Sequence, residues 1–241
     1  MCPWKPLLGA LAAAQVAYGR LPGERAPAAT RAIVALMLAT STAEAVGARR
    51  PARGAGLVAA AGTVGFAAEV AGVATGRPFG PYRYSDRLGP RVAGVPLLAA
   101  AAWAMLARPA WVVAGLLTRR RAARVALAAG ALTAWDVFLD PRMVREGYWT
   151  WPGGGRYEGV PASNFAGWLV TSAGIFGLFA LADGDDDPPW DGGGALALYA
   201  WTWTGETAAN ALVWREPRVA AAGGLAMGAF AVPALWRRLR E

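Results

Sequence analysis

The sequence predicts an all-α protein, a polytopic transmembrane helical bundle of about eight spans with short loops. Hydrophobic residues make up 56% of the 241 residues and charged residues only 17%, whereas a soluble domain carries about 25% charged residues. The apolar residues are gathered into stretches of about 17 to 20 residues, long enough to cross a bilayer. We therefore expect a single integral-membrane domain over residues 1–241, multi-pass in the cell membrane.

Interruptions by proline, glycine and arginine divide the chain into candidate spans. These are residues 4–19, 30–47, 55–75, 92–107 with an extension to 117, 124–140, 163–182, 194–213 and 218–236. Arg108-Pro109 interrupts the fourth span, so we expect a kinked long helix there, or a span followed by an interfacial segment. The first stretch has no small-residue cleavage site before Arg20, which favours a helix over a signal peptide.

The arginine-rich segments predict the orientation of the bundle. Arginines cluster in residues 49–53, 119–124 and 237–240, and in an eight-span bundle these clusters and Lys5 fall on one side. The positive-inside rule places that side, with the N- and C-termini and the acidic loop 183–187, in the cytoplasm. Because the net charge of +8 arises from arginines between spans, we expect no nucleic-acid partner.

Three scarce residue types exclude whole classes of chemistry. The sequence has no histidine, which removes histidine-ligated haem, histidine-rich di-iron sites, zinc protease motifs and Ser-His-Asp triads. Cys2 is the single cysteine, so an intrachain disulfide or a thiolate metal site is impossible within this sequence. The 24 basic residues comprise Lys5 and 23 arginines, which excludes a retinal Schiff base inside a helix. We expect no cofactor and no metal.

Charged residues inside the spans are candidate functional residues, because burying a charge in a bilayer is costly. The candidates are Glu44, Glu69, Asp136, Asp140 and Glu206. Glu44 and Asp140 lie near predicted helix ends, where they can instead reach interfacial water. Glu206 shares a helix face with Asn210, and hydrogen-bonded helix packing explains that pair nearly as well as catalysis does.

The segment from Trp135 to Met143 contains the closest grouping of candidate functional residues. Asp136 and Asp140 are four residues apart and therefore project from one helix face, just before Pro141, which we expect to end the helix. Two carboxyl groups in a dry site favour protonation of one of them, which gives an acid able to donate a proton. Alternatively, both stay ionised and hold Mg²⁺ against a diphosphate.

Aromatic residues are concentrated in two loops near these carboxylates. They are Phe79, Tyr82 and Tyr84 in the earlier loop, and Tyr148, Trp149, Trp151 and Tyr157 in the later one. An interfacial aromatic belt would account for isolated members. The glycines and prolines of residues 76–90 predict a structured turn rather than a linker. An aromatic wall beside an acid also favours a carbocation through cation–π attraction.

These motifs together resemble the carotenoid biosynthesis family of integral-membrane carotenoid hydratases. The resemblance runs through residues 69–84 (EVAGVATGRPFGPYRY), 94–96 (GVP) with Trp103, 135–143 (WDVFLDPRM), 147–151 (GYWTW) and 159–168 (GVPASNFAGW). It covers the motif-bearing core, about residues 69–168, and implies hydration of the terminal 1′,2′ double bond of an acyclic or monocyclic carotenoid. The implied partners are a carotenoid in the bilayer, water and other carotenoid-pathway enzymes.

Alkene hydration needs an acid, a cation-tolerant wall and an ordered water. We expect Asp136 to donate the proton. Asp140 or Glu69 is expected to raise the pKa of Asp136 and to position the water. The expected substrate-binding residues are Tyr82, Tyr84, Trp135, Trp149, Trp151, Asn164 and Trp168. Asn164 is expected to bind the nucleophilic water or the new hydroxyl.

Two other functions remain open. The first is a Mg²⁺-dependent prenyltransferase of the lycopene-elongase type, with Asp136/Asp140 and Asp183/Asp187 as its two metal-binding motifs. Under the predicted topology those motifs lie on opposite sides of the membrane and cannot share one diphosphate. The second is a non-catalytic carotenoid-binding subunit. The size of the carotenoid, C40 or C50, and the number of ends hydrated also remain open.

Overall fold

The computed structural model describes residues 3–48, 51–182 and 192–240, and this part of the chain contains eight α-helices. Their bounds are α1 Trp4–Tyr18, α2 Ala26–Ala48, α3 Pro51–Thr75, α4 Leu97–Leu117, α5 Arg121–Arg145, α6 Ala162–Ala182, α7 Gly193–Ala208 and α8 Pro217–Arg238. The predicted all-α helical class is confirmed. Arg49, Arg50 and the acidic loop 183–187 lie outside the described residues.

Six of the helices are long and apolar enough to cross a membrane, namely α2 (with the preceding turn from Gly23) to α6, and α8. α1 and α7 have only 15 and 16 residues, fewer than the roughly 20 that span a bilayer. α7 continues into a π-helical turn, Ala209–Val213. The predicted count of about eight spans therefore corresponds to six long helices and two shorter ones in the described residues.

α4 is the central helix of the bundle. In its most apolar stretch 67% of the residues are buried, compared with 28% to 44% in the other five long helices. It packs against α2, α3, α5, α7 and α8. The chain passes through Arg108-Pro109 as one helix, as the first of the two predicted forms allows. The predicted start at residue 92 is wrong, because Arg91–Val92 (β2) pairs antiparallel with Val95–Pro96 (β3) just before the helix.

The prediction that Pro141 ends the fifth helix is also wrong. α5 continues through Pro141 to Arg145, about one further turn. Proline removes one helical hydrogen bond, which a membrane helix tolerates where neighbouring groups satisfy the freed carbonyl. Asp136 and Asp140 consequently lie inside the helix rather than at its last turn.

Contacts between helix ends agree with the expected alternation of chain direction. At one end, Arg53 donates to the carbonyl of Ala182, and Arg237 donates to that of Leu116 at 3.2 Å. At the opposite end, the hydroxyl of Tyr18 donates to Glu146 at 2.8 Å. Arg53 and Arg237, from two of the arginine clusters, therefore lie at the same end of the bundle. That this end is cytoplasmic stays a prediction.

The two aromatic loops are joined to each other above the ends of α3 to α6. Arg83–Tyr84 (β1) pairs antiparallel with Trp149–Thr150 (β4), which places Tyr84 opposite Trp149. The amide of Ser85 extends the pairing by donating to the carbonyl of Tyr148 at 2.8 Å. This short ribbon fixes the two loops against each other and positions their side chains over the bundle.

Candidate functional site

A cavity of about 60 Å³ lies where α3, α4, α5 and α6 meet the two joined loops. Aromatic and aliphatic side chains make up most of its wall, and the polar lining includes Glu69, Asp140 and Asn164. This volume is enough for a small apolar group together with a water molecule. The cavity is therefore mostly apolar, with carboxyl groups in its wall.

Glu69, on α3, is held by three neutral donors. Its Oε2 accepts hydrogen bonds from the hydroxyls of Tyr82 and of Tyr84, the latter at 2.8 Å. Its Oε1 accepts from the indole Nε1 of Trp103 at 3.0 Å. Burial, followed by the charge of Glu69, raises the pKa of both tyrosines well above the usual value. The two phenols therefore remain protonated donors.

Asp136 and Asp140 are bridged by Asn164, which α6 brings to their face of α5. The Asn164 Nδ2 donates to Asp136 Oδ2 at 2.8 Å and also to Asp140 Oδ2. Because both Oδ2 atoms contact the same amide nitrogen, the two carboxyl groups lie close together. Trp149 completes the group by donating from Nε1 to Asp140 Oδ1 at 3.0 Å. The predicted pairing on one helix face is thus seen, with both residues buried.

The two aspartates differ in what they face. Asp140 lines the cavity, whereas Asp136 lies behind it and is fully buried. Within the described residues, Oδ1 of Asp136 has no hydrogen-bond partner. Leaving a buried oxygen unsatisfied is costly when the carboxyl group is charged. A shared proton between the two carboxyl groups relieves that cost, so the pair is suited to holding and releasing a proton.

Ring contacts connect the aromatic side chains into one wall. Trp103 and Trp168 stack with centroids 3.9 Å apart, and Trp135 meets Trp168 edge-on at 6.0 Å. On the loop side, Tyr84 contacts Tyr82 at 5.4 Å and Trp149 at 5.6 Å. Such geometries stabilise aromatic clusters beyond the area they bury. The wall runs from the helices into the loops and encloses the cavity.

Glycines on α3 and α6 allow this wall to pack against bare backbone. A Cβ built on Gly65 collides with the ring of Trp103, and one on Gly72 comes within 2.8 Å of both Phe79 and the Tyr82 hydroxyl. A Cβ on Gly167 comes within 2.6 Å of Phe79. A side chain at any of the three positions therefore requires the wall to move.

The predicted site residues come together in the structure. Those lining the cavity are Glu69, Tyr82, Tyr84, Trp135, Asp140, Trp149, Trp151, Asn164 and Trp168, and Asp136 lies directly behind them. The contacts differ in detail from those expected. The amide nitrogen of Asn164 is engaged by the two aspartates, and the indole of Trp151 donates to the carbonyl of Phe79 at 3.1 Å.

Sequence reasoning missed three residues of the cavity wall as site residues. Trp103 donates to Glu69, Phe79 packs against Trp103 with a centroid distance of 6.1 Å, and Thr30 enters from α2. Trp103 and Phe79 were inside the recognised motifs, so their position there was an available signal. Thr30 carried none, because a threonine in an apolar span usually bonds its own helix.

Two other candidate carboxylates, Glu44 and Glu206, do not line the site cavity. Glu44 does not reach interfacial water, because it is buried and accepts a hydrogen bond from Nε of Arg108 at 3.0 Å. Asp140, in the site cavity, does not reach interfacial water either, because it is only 2% exposed. Glu206 lines a separate, larger cavity. Asn210 donates to the main-chain carbonyl of Glu206 at 2.9 Å, four residues earlier in the chain.

This fold and this site define a helical membrane protein with a cavity lined by acidic and aromatic side chains. The chain belongs to the family described as carotenoid biosynthesis protein, whose family model matches residues 7–230. The resemblance inferred from the motifs is therefore confirmed.

One relative is a protein of Haloarcula japonica named bisanhydrobacterioruberin hydratase. It is 34% identical to this chain over 127 residues, which cover 50% of this chain and 43% of that protein. The match thus spans less than half of the relative's length. No solved structure matches the chain.

Proposed function

We propose that this protein hydrates the terminal 1′,2′ double bond of an acyclic or monocyclic carotenoid. The observation that carries the proposal is the buried Asp136–Asp140 pair, linked by Asn164 and opening through Asp140 onto an aromatic chamber. Membership of the carotenoid biosynthesis family and the hydratase name of the Haloarcula relative support the same reaction.

The first step is proton transfer to the less substituted alkene carbon. The Asp136–Asp140 pair supplies the proton, and Asp140 is the member that faces the cavity. The π electrons form the new C–H bond, which leaves a tertiary cation on the neighbouring carbon. General acid catalysis by a positioned side chain contributes about 10²- to 10⁴-fold. Asp136 keeps its sequence-predicted part in proton donation, now acting through Asp140.

The aromatic wall stabilises the cation. Trp135, Trp168 and Trp149 line the cavity, and a well-placed ring contributes roughly 0.5 to 2 kcal/mol by cation–π attraction. The carboxylate of Glu69 adds a negative charge on the same cavity. These groups are already fixed by hydrogen bonds and ring contacts, so little reorganisation is needed when the charge develops.

Water then attacks the cation, and its oxygen forms the new C–O bond. The oxonium formed loses one proton, and Glu69, held in place by Tyr82, Tyr84 and Trp103, is the proposed acceptor. Return of this proton to the aspartate pair restores the starting state. One water is consumed and the reaction needs no oxidant or reductant.

The test is coexpression with a pathway that makes an acyclic C40 or C50 carotenoid, followed by mass analysis of the pigments. A hydratase adds the mass of one water per modified end, and Asp140→Asn should leave the pigment unmodified at the same protein level. An unchanged pigment mass with the wild-type protein, well folded in the membrane, would contradict the proposal.

The same experiment tests the two alternatives. A carotenoid-binding subunit retains pigment of unchanged mass. A prenyltransferase requires Mg²⁺ and an isoprenoid diphosphate and lengthens the carbon chain. The contacts favour the hydratase over a metal site, because both oxygens of Asp140 already accept hydrogen bonds from Trp149 and Asn164. Asp183 and Asp187, the other proposed metal motif, lie outside the described residues.

A further inference from the structure

The site cavity is too small for the substrate that the proposed function requires. Its volume of about 60 Å³ accommodates the end of a carotenoid and a water, but not the long polyene chain attached to that end. A terminal alkene can reach Asp140 only if the rest of the chain leaves the cavity by a continuous path. The described part of the molecule provides one large candidate for that path.

We infer that a groove of about 550 Å³ between α1, α2, α5 and α7 binds the polyene chain while the terminal alkene lies in the site cavity. This inference rests on the proposed function and names the binding site for the rest of the same substrate. We call this volume the polyene groove. Its occupant is a linear conjugated isoprenoid, which enters from the bilayer.

The polyene groove and the site cavity share part of their walls. The residues common to both linings are Thr30, Val34, Met105, Trp135, Leu139 and Met143. Five of the six are apolar, and they lie within one turn or so of Asp136 and Asp140 on α5 or face them from α2 and α4. The shared wall is therefore where a chain would pass from one cavity into the other.

The shape and lining of the polyene groove suit an extended apolar chain. Its lining on the α7 side extends from Trp201 to Trp214, roughly 20 Å at about 1.5 Å per residue. Val16 and Leu212, at its edge, are 57% and 78% exposed, although their helices belong to a membrane bundle. Such exposed apolar side chains contact lipid, so the groove is accessible from the hydrocarbon layer.

The charged residues of the groove lining are Arg20, Arg142 and Glu206. The guanidinium of Arg142 stacks on Trp214 at 3.8 Å and pairs with Glu146. Glu206 lies on α7 just before the π-helical turn Ala209–Val213. π-Helical turns occur frequently at functional sites. The polar contacts of Arg142 are therefore made within the protein, and most of the lining remains apolar.

Gly205 offers a direct test because it lines the groove and has space around it. The nearest atom to a Cβ built there is 3.9 Å away, so Gly205→Phe fills the groove without a backbone clash. Gly174 on α6 is the matched control. It lines neither cavity, is exposed, and has nothing within 4 Å of a built Cβ.

Both substitutions are introduced into the Asp140→Asn protein, expressed in a lycopene-producing host, and the pigment retained per mole of purified protein is measured. We expect Gly205→Phe to retain at least about tenfold less lycopene than Gly174→Phe, corresponding to about 1.4 kcal/mol of lost binding. Ala208→Phe, also in the groove lining, serves as a second variant if Gly205→Phe fails to fold.

Equal retention by the groove and control variants, or no retention by the Asp140→Asn protein, would overturn the inference. Failure of the proposed function would give a different experimental result. In that case the wild-type protein leaves the pigment mass unchanged, whatever the Gly205 variant retains. The two results are therefore distinguishable in one set of purifications.

Discussion

Two groups of buried carboxylates in this bundle are stabilised in opposite ways. Glu44 is paired with Arg108, and both side chains are only 3% exposed. Glu69 and Asp140 instead accept side-chain hydrogen bonds from phenols, indoles and an amide, all of them neutral. Glu44 therefore has a positive partner, whereas the donors that hold Glu69 and Asp140 in the described part of the chain are uncharged.

This difference distinguishes a carboxylate that holds helices together from carboxyl groups that can exchange a proton. A carboxylate that has an arginine beside it in a dry interior is neutralised by that charge, and here the pair joins α2 and α4. A carboxyl group supported by neutral donors and by a second carboxyl can change its protonation state without leaving an arginine unpaired. We therefore expect the Asp136–Asp140 pair, and not Glu44, to take part in proton transfer.

The largest effect is expected from removing an acid of the pair. Asp140→Asn should lower the hydration rate by about 10²- to 10⁴-fold, since the amide cannot act as the acid. Asp136→Asn should likewise accumulate unhydrated pigment. The measurement is the hydrated fraction of pigment per mole of folded protein. Retained full hydration in either variant removes that residue from the acid role.

The second prediction concerns the stability of the paired group. Glu44→Gln removes the carboxylate that pairs with the buried Arg108 and should destabilise the protein by up to about 3 to 5 kcal/mol. Replacing both partners, Glu44→Leu with Arg108→Met, should recover most of this loss. Unfolding in detergent gives the stability, and hydration per folded molecule should be unchanged in both variants. A folded, stable Glu44→Gln protein without activity would contradict the assignment of Glu44 to helix packing.

Removing one donor from Glu69 should have a smaller effect. Tyr84→Phe loses a hydrogen bond to a carboxylate, worth about 1.5 to 3 kcal/mol, so hydration should slow by roughly 10- to 100-fold. The matched control is Tyr157→Phe, because Tyr157 donates to the carbonyl of Val137 and does not line the cavity. Equal activity of the two variants would show that Glu69 needs only its other donors.

The smallest effect is expected for a buried tyrosine that does not line the site cavity. Tyr199 donates to the carbonyl of Ala131 at 2.9 Å and is fully buried. Tyr199→Phe should lower stability by about 0.5 to 1.5 kcal/mol and leave hydration unchanged. A large loss of activity there would mean that the aromatic chamber is coupled to the α5–α7 contact.

The membrane bundle was predictable because span length and hydrophobicity follow from bilayer thickness alone. The grouping of the site was predictable in part, since the four-residue spacing of Asp136 and Asp140 puts them on one helix face. Their relation to Asn164 and Glu69 depends on which helices pack together, and periodicity does not encode that. The partner of Glu44 was equally hidden, because Arg108 stands 64 positions away on a different helix.

The helix ends show the same limit. Pro141 predicts a stop in an isolated helix, but neighbouring elements carry α5 on to Arg145. Residues 91–96 are apolar enough to extend α4, yet they pair as two short strands because the loop folds back on itself. Both errors arise where tertiary contacts decide between local conformations of similar energy.

The glycines behind the aromatic wall make the shape of the chamber adjustable from outside it. Gly65 and Gly167 do not line the cavity, but the residues packed on them do: Trp103 and Phe79. A single added methyl at Gly65 would push the Trp103 indole, and with it the donor that holds Glu69. Under the proposed function, selectivity among carotenoid end groups can therefore be changed through helix-packing positions that do not line the cavity.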